Sequence, residues 1–197
     1  MRKIIFATGN AGKMKEIRMI LSDLGYEICS LKDMHIDVNI EENGSTFEEN
    51  AIIKAKTISE MTGEIVLADD SGLEVDYMDK APGIYSARFL GEDTSYDVKN
   101  RYIIDKLKNA TGEERSARFV CAIAAVFPDG RVETTRGTIE GYIGHEQKGE
   151  NGFGYDPIFY VPEYDCMSAE LSPEIKNKIS HRGTALEAMK KIIEAYE

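Results

Sequence analysis

"KIIFATGNAGKMKEIRMILSDLGYEICSL", Lys3 to Leu31, is the stretch that decides the fold. "KIIFAT" is a short apolar run closed by Gly9 and Asn10, the pattern of a buried strand. Ile17, Ile20, Leu21 and Leu24 then recur at helical spacing, which predicts a helix over Lys13–Leu24 stopped by Gly25. "YEICSL" reads as a second strand. A strand, a helix and a strand in immediate succession favour a parallel pair, since parallel neighbours need a crossover connection.

Outward from this unit the alternation continues. Residues 32–45 read as a loop. Ser45 and Thr46, followed by Glu48 and Glu49, form a capping pattern that predicts a helix from about Phe47 to Met61, with Gly63 ending it. "EIVLA" reads as a strand that ends on "DDSG", and "LEVDYM" alternates like another. "DKAPGIYSARFLGED" reads as a loop and "SYDVKNRYIIDKLKNA" as a helix. "SARFVCAIAAVF" and "RVETTRGTIEGYIG" read as two long strands around the tight turn "PDG". "PIFYV" is a short strand. "SPEIKNKI" and "TALEAMKKIIEAYE" are helices, with Ser180 to Gly183 as a break between them. The expectation is an α/β fold of a single domain, 1–197, with a mixed β-sheet and room for a cleft between the β-α-β part and the hairpin part.

Bulk properties narrow the function. At 197 residues and 42% hydrophobic, the chain can bury a substantial core. Lys and Arg total 24 against 35 Asp and Glu, a net charge of −11. That balance argues against a binder of nucleic-acid polymers or of anionic membranes, which needs a basic field. A small anion remains open, because a few local cations can dominate a pocket. Cys29, Cys121 and Cys166 are far apart and form no CxxC pair, which suits reduced thiols. The N-terminal apolar run is too short for a signal peptide or a membrane helix. The expectation is a cytoplasmic protein.

Six segments carry possible chemistry. In "ATGNAGKMKEI", Thr8, Gly9, Asn10 and Ala11 lie between a strand end and a helix start, with Gly12 and Lys13 opening the helix. Free N–H groups, the helix dipole and a lysine favour an anion there. It is not a Walker A loop, because the glycine spacing is too short and Met14 stands where Ser or Thr would bind magnesium. An ordinary βα turn explains the same residues, and locally the two readings weigh evenly. Glu41 in "IEENG" and Lys54 in the following helix read locally as a solvated loop and an exposed lysine. In "LADDSG", Asp69 and Asp70 are adjacent carboxylates after a buried-looking run. Strand alternation points them to opposite sides, so one faces any given site while the other ties down backbone. Ser71 offers a hydroxyl. In "GENGFGYDPIF", Phe153 between glycines could stack on a flat ligand, with Gly154, Tyr155 and Asp156 beside it; an aromatic-anchored turn is the plainer alternative. In "KNKISHRGTAL", Lys176, His181 and Arg182 form one of the few cationic clusters in an acidic chain.

Taken together, "ATGNAGK", "ENAIIKAK", "ADDSGLEVD", "APGIYSARF", "GFGYDPIF" and "SHRGTAL" resemble the inosine triphosphate pyrophosphatase (HAM1-like) family, whose bacterial branch is the XTP/dITP diphosphatases. The segments occur in family order and span nearly the whole chain. The resemblance implies a two-lobed α/β fold, a long mixed twisted β-sheet flanked by helices with an active-site cleft between the lobes, and a Mg²⁺-dependent hydrolase, usually homodimeric, that converts ITP, dITP and XTP to the monophosphate and pyrophosphate. By position, Thr8 to Lys13 would hold the triphosphate with Lys54 near the phosphates. Glu41, or its neighbour Glu42, and Asp70 would hold the metal, with Asp70 also the proton acceptor for water. Ser71 would contact substrate. Phe153, Gly154, Tyr155 and Asp156, with Lys176, His181 and Arg182, would grip the base side. The competing readings are a Maf-like nucleotide pyrophosphatase, a nucleotide-binding protein without catalysis, and a general phosphatase.

Overall fold

The computed structural model describes residues 2–196. Seven strands form one mixed sheet in the order β2-β1-β3-β4-β5-β6-β7. The chain divides into two compact units: Met1–Asp70, Cys121–Gly137 and His181–Glu197 make the first, Ser71–Val120 and Thr138–Ser180 the second. The chain enters and leaves each unit more than once.

In the first unit, β1 (Lys3–Phe6) and β2 (Glu27–Ser30) run parallel through Ile4–Ile28 and Ile5–Cys29, joined by α1 (Ala11–Ile20). β1 also runs parallel to β3 (Ile65–Val75), with Ile5 opposite Val66. The β-α-β reading therefore holds. The helix is shorter than its periodicity suggests, starting at Ala11 and ending at Ile20. Leu21 closes it with an N–H bond to Ile17, and the chain turns before Gly25, whose φ of +76° reverses direction. α2 (Phe47–Thr62) starts on Thr46, whose hydroxyl accepts the Glu49 N–H, and ends on Gly63 in the left-handed region.

Alternation along the strands fills two cores. Ile4, Phe6 and Leu67 pack with Ile17 of α1 and with Leu186 and Met189 of α5 (His181–Tyr196). Ile5, Val66 and Ala68 point the other way, onto Ala51, Ala55 and Ile58 of α2. Near-continuous apolar strands follow from this two-sided burial.

The second unit builds on α3 (Tyr96–Lys106) and on parts of β4 (Ser116–Val126) and β5 (Val132–Ile143). β5 pairs antiparallel with β6 (Phe159–Val161), and β6 with β7 (Cys166–Met167). α4 (Pro173–Ile179) follows. Its core gathers Leu73, Val75, Ile103, Leu107, Phe119, Tyr155 and Phe159.

Two sequence expectations need correction here. β3 does not end on the aspartates; it runs unbroken through Asp69, Asp70, Ser71 and Gly72 to Val75, and "DYM" becomes a single 3-10 turn. The carboxylates are buried and partnered inside, so the ladder has no reason to break toward water. Nor is "SHRG" a break, because α5 begins at His181. Gly137 allows this: a Cβ there would stand 2.1 Å from the His181 carbonyl oxygen. Among the described residues, no helix is long and apolar enough to cross a membrane.

Candidate active site

The first unit assembles a dense group of charges from the turn after β1, the middle of β3, α2 and the first turns of α1 and α5. Asn10 caps α1, its side-chain oxygen accepting the Lys13 N–H at 3.0 Å, while the Thr8 hydroxyl accepts the Asn10 N–H at 3.2 Å. Gly9, Asn10 and Ala11 are exposed, so this helix start faces solvent with its dipole uncovered. Lys13 reaches Asp69 at 2.9 Å. Arg182, from the first turn of α5, stands 3.3 Å from the same Asp69 oxygen and pairs through its other terminal nitrogen with Glu16 of α1. Burial works to raise the Asp69 pKa, but Lys13, Arg182 and Lys54 outweigh it and hold the carboxyl well below its usual range.

Asp70, the next residue, has different company. Its Oδ2 accepts from the Asn50 side chain at 3.2 Å, and its Oδ1 lies 4.0 Å from the Lys54 ammonium. Lys54 also meets Glu42 at 3.0 Å. Burial lifts the Asp70 pKa and the Glu42 charge adds to the lift, while Lys54, Lys13 and the Asn50 bond oppose it; the result is about 6. Lys54 is penalised by burial yet held charged by Asp69, Asp70 and Glu42. Strand alternation has thus separated two neighbouring carboxylates by chemistry: one permanently ionised, one poised to exchange a proton near neutrality.

Two residues of this group lie outside the sequence expectations. Asn50 is fully buried and bridges the Gly44 N–H, at 2.8 Å, to the Asp70 carboxylate. Its signal was the spacing in "ENAIIKAK": Asn50 and Lys54 stand at i and i+4 on α2, on one face. Glu16 stands at i+3 from Lys13 on α1, beside the buried Ile17, and that spacing could have marked it. Conversely, the structure brings Glu42 beside Lys54, whereas Glu41 is exposed.

The second unit holds the other group. Asp156 accepts from the Phe153 N–H at 2.9 Å, from Lys176 at 2.6 Å and from the Ser168 hydroxyl at 2.9 Å. Lys176 lies 4.9 Å from the centre of the half-buried Phe153 ring. Gly152, at φ +73°, is required here, because a Cβ would stand 2.3 Å from Asp156 Oδ2. The Gly154 carbonyl accepts from Asn100 at 3.1 Å. Tyr155 is a core residue: its ring packs edge-on to Tyr96 and its hydroxyl donates to the Ser86 carbonyl at 2.6 Å. Ser71 follows Asp70 on β3 and is half-buried. Of the expected cationic residues, Lys176 pairs with Asp156 in this unit, and Arg182 engages Glu16 and Asp69 in the first, where His181 is also buried.

Among the described residues, no three Asp, Glu, His or Cys side chains converge as a metal cage. The oxygens of Asp70 and Glu42 nevertheless suit a hard divalent cation of the kind that takes one or two carboxylates and completes its shell with water and substrate phosphates. The arrangement can therefore hold a polyanion at a helix start, neutralise it with lysines, and accept a proton.

Comparison with known proteins gives a consistent picture. A model of the Ham1 family matches residues 4–192. The dITP/XTP pyrophosphatase of Exiguobacterium sibiricum is 52% identical over 187 residues, covering 95% of this chain and 94% of that one. That of Bacillus subtilis is 46% identical over 195 residues, covering 99% and 98%. Among solved structures, the Ham1 protein of Staphylococcus aureus aligns with a TM-score of 0.88 at 42% identity, covering both chains completely. A HAM1 protein of Coxiella burnetii aligns with a TM-score of 0.88 at 40% identity, covering 99% of this chain and 100% of that one.

Proposed function

The chain belongs to the Ham1 family, and from that premise we propose that it hydrolyses the non-standard purine nucleotides dITP, XTP and ITP to the nucleoside monophosphate and pyrophosphate. The observation that carries this reading is the split between Asp69 and Asp70: a fixed anion that organises Lys13 and Arg182, beside a carboxylate held near neutrality by burial.

In this reading the first unit takes the triphosphate. The backbone from Thr8 to Gly12, at the open start of α1, receives phosphate oxygens, and Lys13 and Lys54 offset their charge. Asp70, held by Asn50, accepts the proton of the attacking water. The bond between the α and β phosphates breaks, its electron pair leaves with pyrophosphate, and the lysines stabilise that leaving charge. Asp70 and Glu42 are the residues that would hold Mg²⁺, which when bound neutralises phosphate charge and lowers the pKa of coordinated water. Ser71 contributes a hydroxyl to the substrate.

We assign the base to the second unit's loop, Phe153 to Asp156, with Lys176. The Phe153 ring offers a face for stacking, and Lys176 a donor for the 6-oxygen of hypoxanthine or xanthine. Adenine presents an amino group at that position, and a donor facing a donor gives rejection on the order of 10⁴-fold or more. Arg182 and His181 are proposed on the base side as well, and Arg182, through the Asp69 carboxylate it shares with Lys13, also orders that lysine. A homodimer with a cytoplasmic location completes the proposal; light scattering on the purified chain checks the dimer.

The test is a panel of nucleoside triphosphates with Mg²⁺, scoring products. Pyrophosphate and monophosphate from ITP and XTP, with little from ATP, are expected. Release of inorganic phosphate, or equal kcat/KM for ITP and ATP, would overturn the reading.

A further inference from the structure

Asn100 has no part in the assignments above, yet it is buried at 1% exposure on α3, as are Lys99 and Ile103. Its amide nitrogen donates twice, to the Gly154 carbonyl at 3.1 Å and to the Gln147 side-chain oxygen at 3.2 Å. Gln147 in turn donates to Asp97, at 3.0 Å, three residues back on α3. Two carbonyl acceptors fix which way the amide points, since reversed it would set oxygen against oxygen. That orientation leaves the Asn100 side-chain oxygen buried without a hydrogen-bond partner among the described residues.

The two donor bonds tie α3 to the Gly154 loop. Gly154 sits at φ +66° between Phe153 and Tyr155 and has no side chain to anchor it. Its neighbours are tied on both sides, Phe153 through its N–H to Asp156 and Tyr155 through its hydroxyl to Ser86. The Phe153 carbonyl accepts from the Asp156 N–H at 3.3 Å, and the Gly154 carbonyl, on the peptide to Tyr155, is held by Asn100. Rotation of the Gly154–Tyr155 peptide would change ψ at Gly154 and so alter the turn that carries the Phe153 ring. Through Gln147, the same amide ties down the segment that leads into the loop.

We propose that Asn100 is a positioning residue for base recognition, holding the Gly154 peptide, and with it the Phe153 ring, in the orientation that receives the purine. The inference rests on the functional reading above.

The experiment compares wild type, Asn100→Ala and Gln147→Ala for Mg²⁺-dependent hydrolysis of ITP and ATP, together with hydrogen exchange of the 152–155 amides. For Asn100→Ala the expected result is a KM for ITP raised about tenfold with kcat within about threefold, and an ITP-over-ATP ratio of kcat/KM lowered about tenfold. The loop amides should exchange about tenfold faster, with those of β4 unchanged. Gln147→Ala, at a half-buried loop position that spares the fold, should move the same quantities in the same direction by about threefold. If Asn100→Ala does not fold, Gln147→Ala decides alone. Folded variants with KM, selectivity ratio and loop exchange within twofold of wild type would overturn the inference, as would a fall in kcat with an unchanged ratio. A wild-type chain releasing no pyrophosphate from ITP would instead sink the functional reading and this inference with it; an active wild type with unaltered variants sinks this inference alone.

Discussion

Asp69 and Asp70 are adjacent on β3 and carry opposite acidities: Lys13 and Arg182 drive the first well below the carboxylate range, while burial lifts the second to about 6. The difference arises because successive strand residues face opposite ways and meet different partners. It also fixes how each aspartate responds to pH and to substitution.

For Asp70 the sign is set by a folded pKa raised above the 3.8 of an ordinary aspartate. Its favourable contribution is complete below about pH 4 and is lost as pH rises toward 6, where the folded state must bury a charge. Asp70→Asn should therefore stabilise the metal-free protein above pH 6 by about 1–3 kcal/mol, from a shift worth about 1.4 kcal/mol per unit. The gain should vanish near pH 4. Urea titrations in EDTA at pH 4, 6 and 8 check it; a gain that persists at pH 4 refutes the assignment.

The same variant should lose turnover while keeping its fold. Removing the proton acceptor costs about 10²–10⁴-fold in kcat in general acid–base catalysis. Steady-state kinetics on ITP with Mg²⁺, alongside circular dichroism, measure this. A folded Asp70→Asn protein retaining most of the wild-type rate would remove Asp70 from the chemistry.

Arg182 tests the other half of the pair. It is 2% exposed and engaged by Glu16 and Asp69. Arg182→Met leaves two buried carboxylates without that cation, and breaking a buried pair from one side typically costs about 3–5 kcal/mol. Glu16→Gln keeps a polar acceptor for Arg182 and should cost about 1–2 kcal/mol. Urea midpoints rank the two; equal losses would mean that Glu16, not Asp69, is the main partner.

How much of this was visible in the sequence depends on the range of the interaction. The β-α-β opening, the α2 caps at Thr46 and Gly63, and the turn around Gly130 are local, and the structure has them all. The continuity of β3 through two aspartates was not legible, because it depends on Lys13 and Arg182, and the latter stands 113 residues away from Asp69. The same holds for Arg182 itself, whose place in the Lys176, His181 and Arg182 cluster gave no sign of Glu16 and Asp69 as its partners. Asn50 and Glu16 were readable in principle from helical spacing to Lys54 and Lys13, but a lone polar residue on an apolar face signals a site only when its partner is known. Asn100 has no such signal, since Gly154 and Gln147 reach it only through the tertiary fold.

Gly152 probes the base-side loop independently of catalysis. A Cβ there would lie 2.3 Å from Asp156 Oδ2 and 3.1 Å from the Lys176 ammonium, at a φ of +73°. Gly152→Ala must displace the carboxylate that holds Lys176 and the Phe153 N–H. It should cost about 1–3 kcal/mol from strain and lost contacts, and raise KM for ITP more than it lowers kcat. Thermal unfolding and ITP kinetics measure both; wild-type KM with unaltered stability would show that the loop relaxes without consequence.

The choice between Glu41 and Glu42 can be settled by metal dependence. Glu42 stands 3.0 Å from Lys54 and adds to the negative charge acting on Asp70, whereas Glu41 is exposed. A cation approaching Asp70 therefore meets Glu42 as the second carboxylate, with Lys54 free to turn to phosphate. Glu42→Gln should raise the Mg²⁺ concentration giving half-maximal rate by about tenfold or more, within the 10–100-fold range typical of altered metal-site carboxylates and their supports. Glu41→Gln should change it less than about twofold. Mg²⁺ titrations at saturating ITP compare the two directly. The reverse order would return the metal to Glu41 and require that the 41–44 loop rearrange when nucleotide binds.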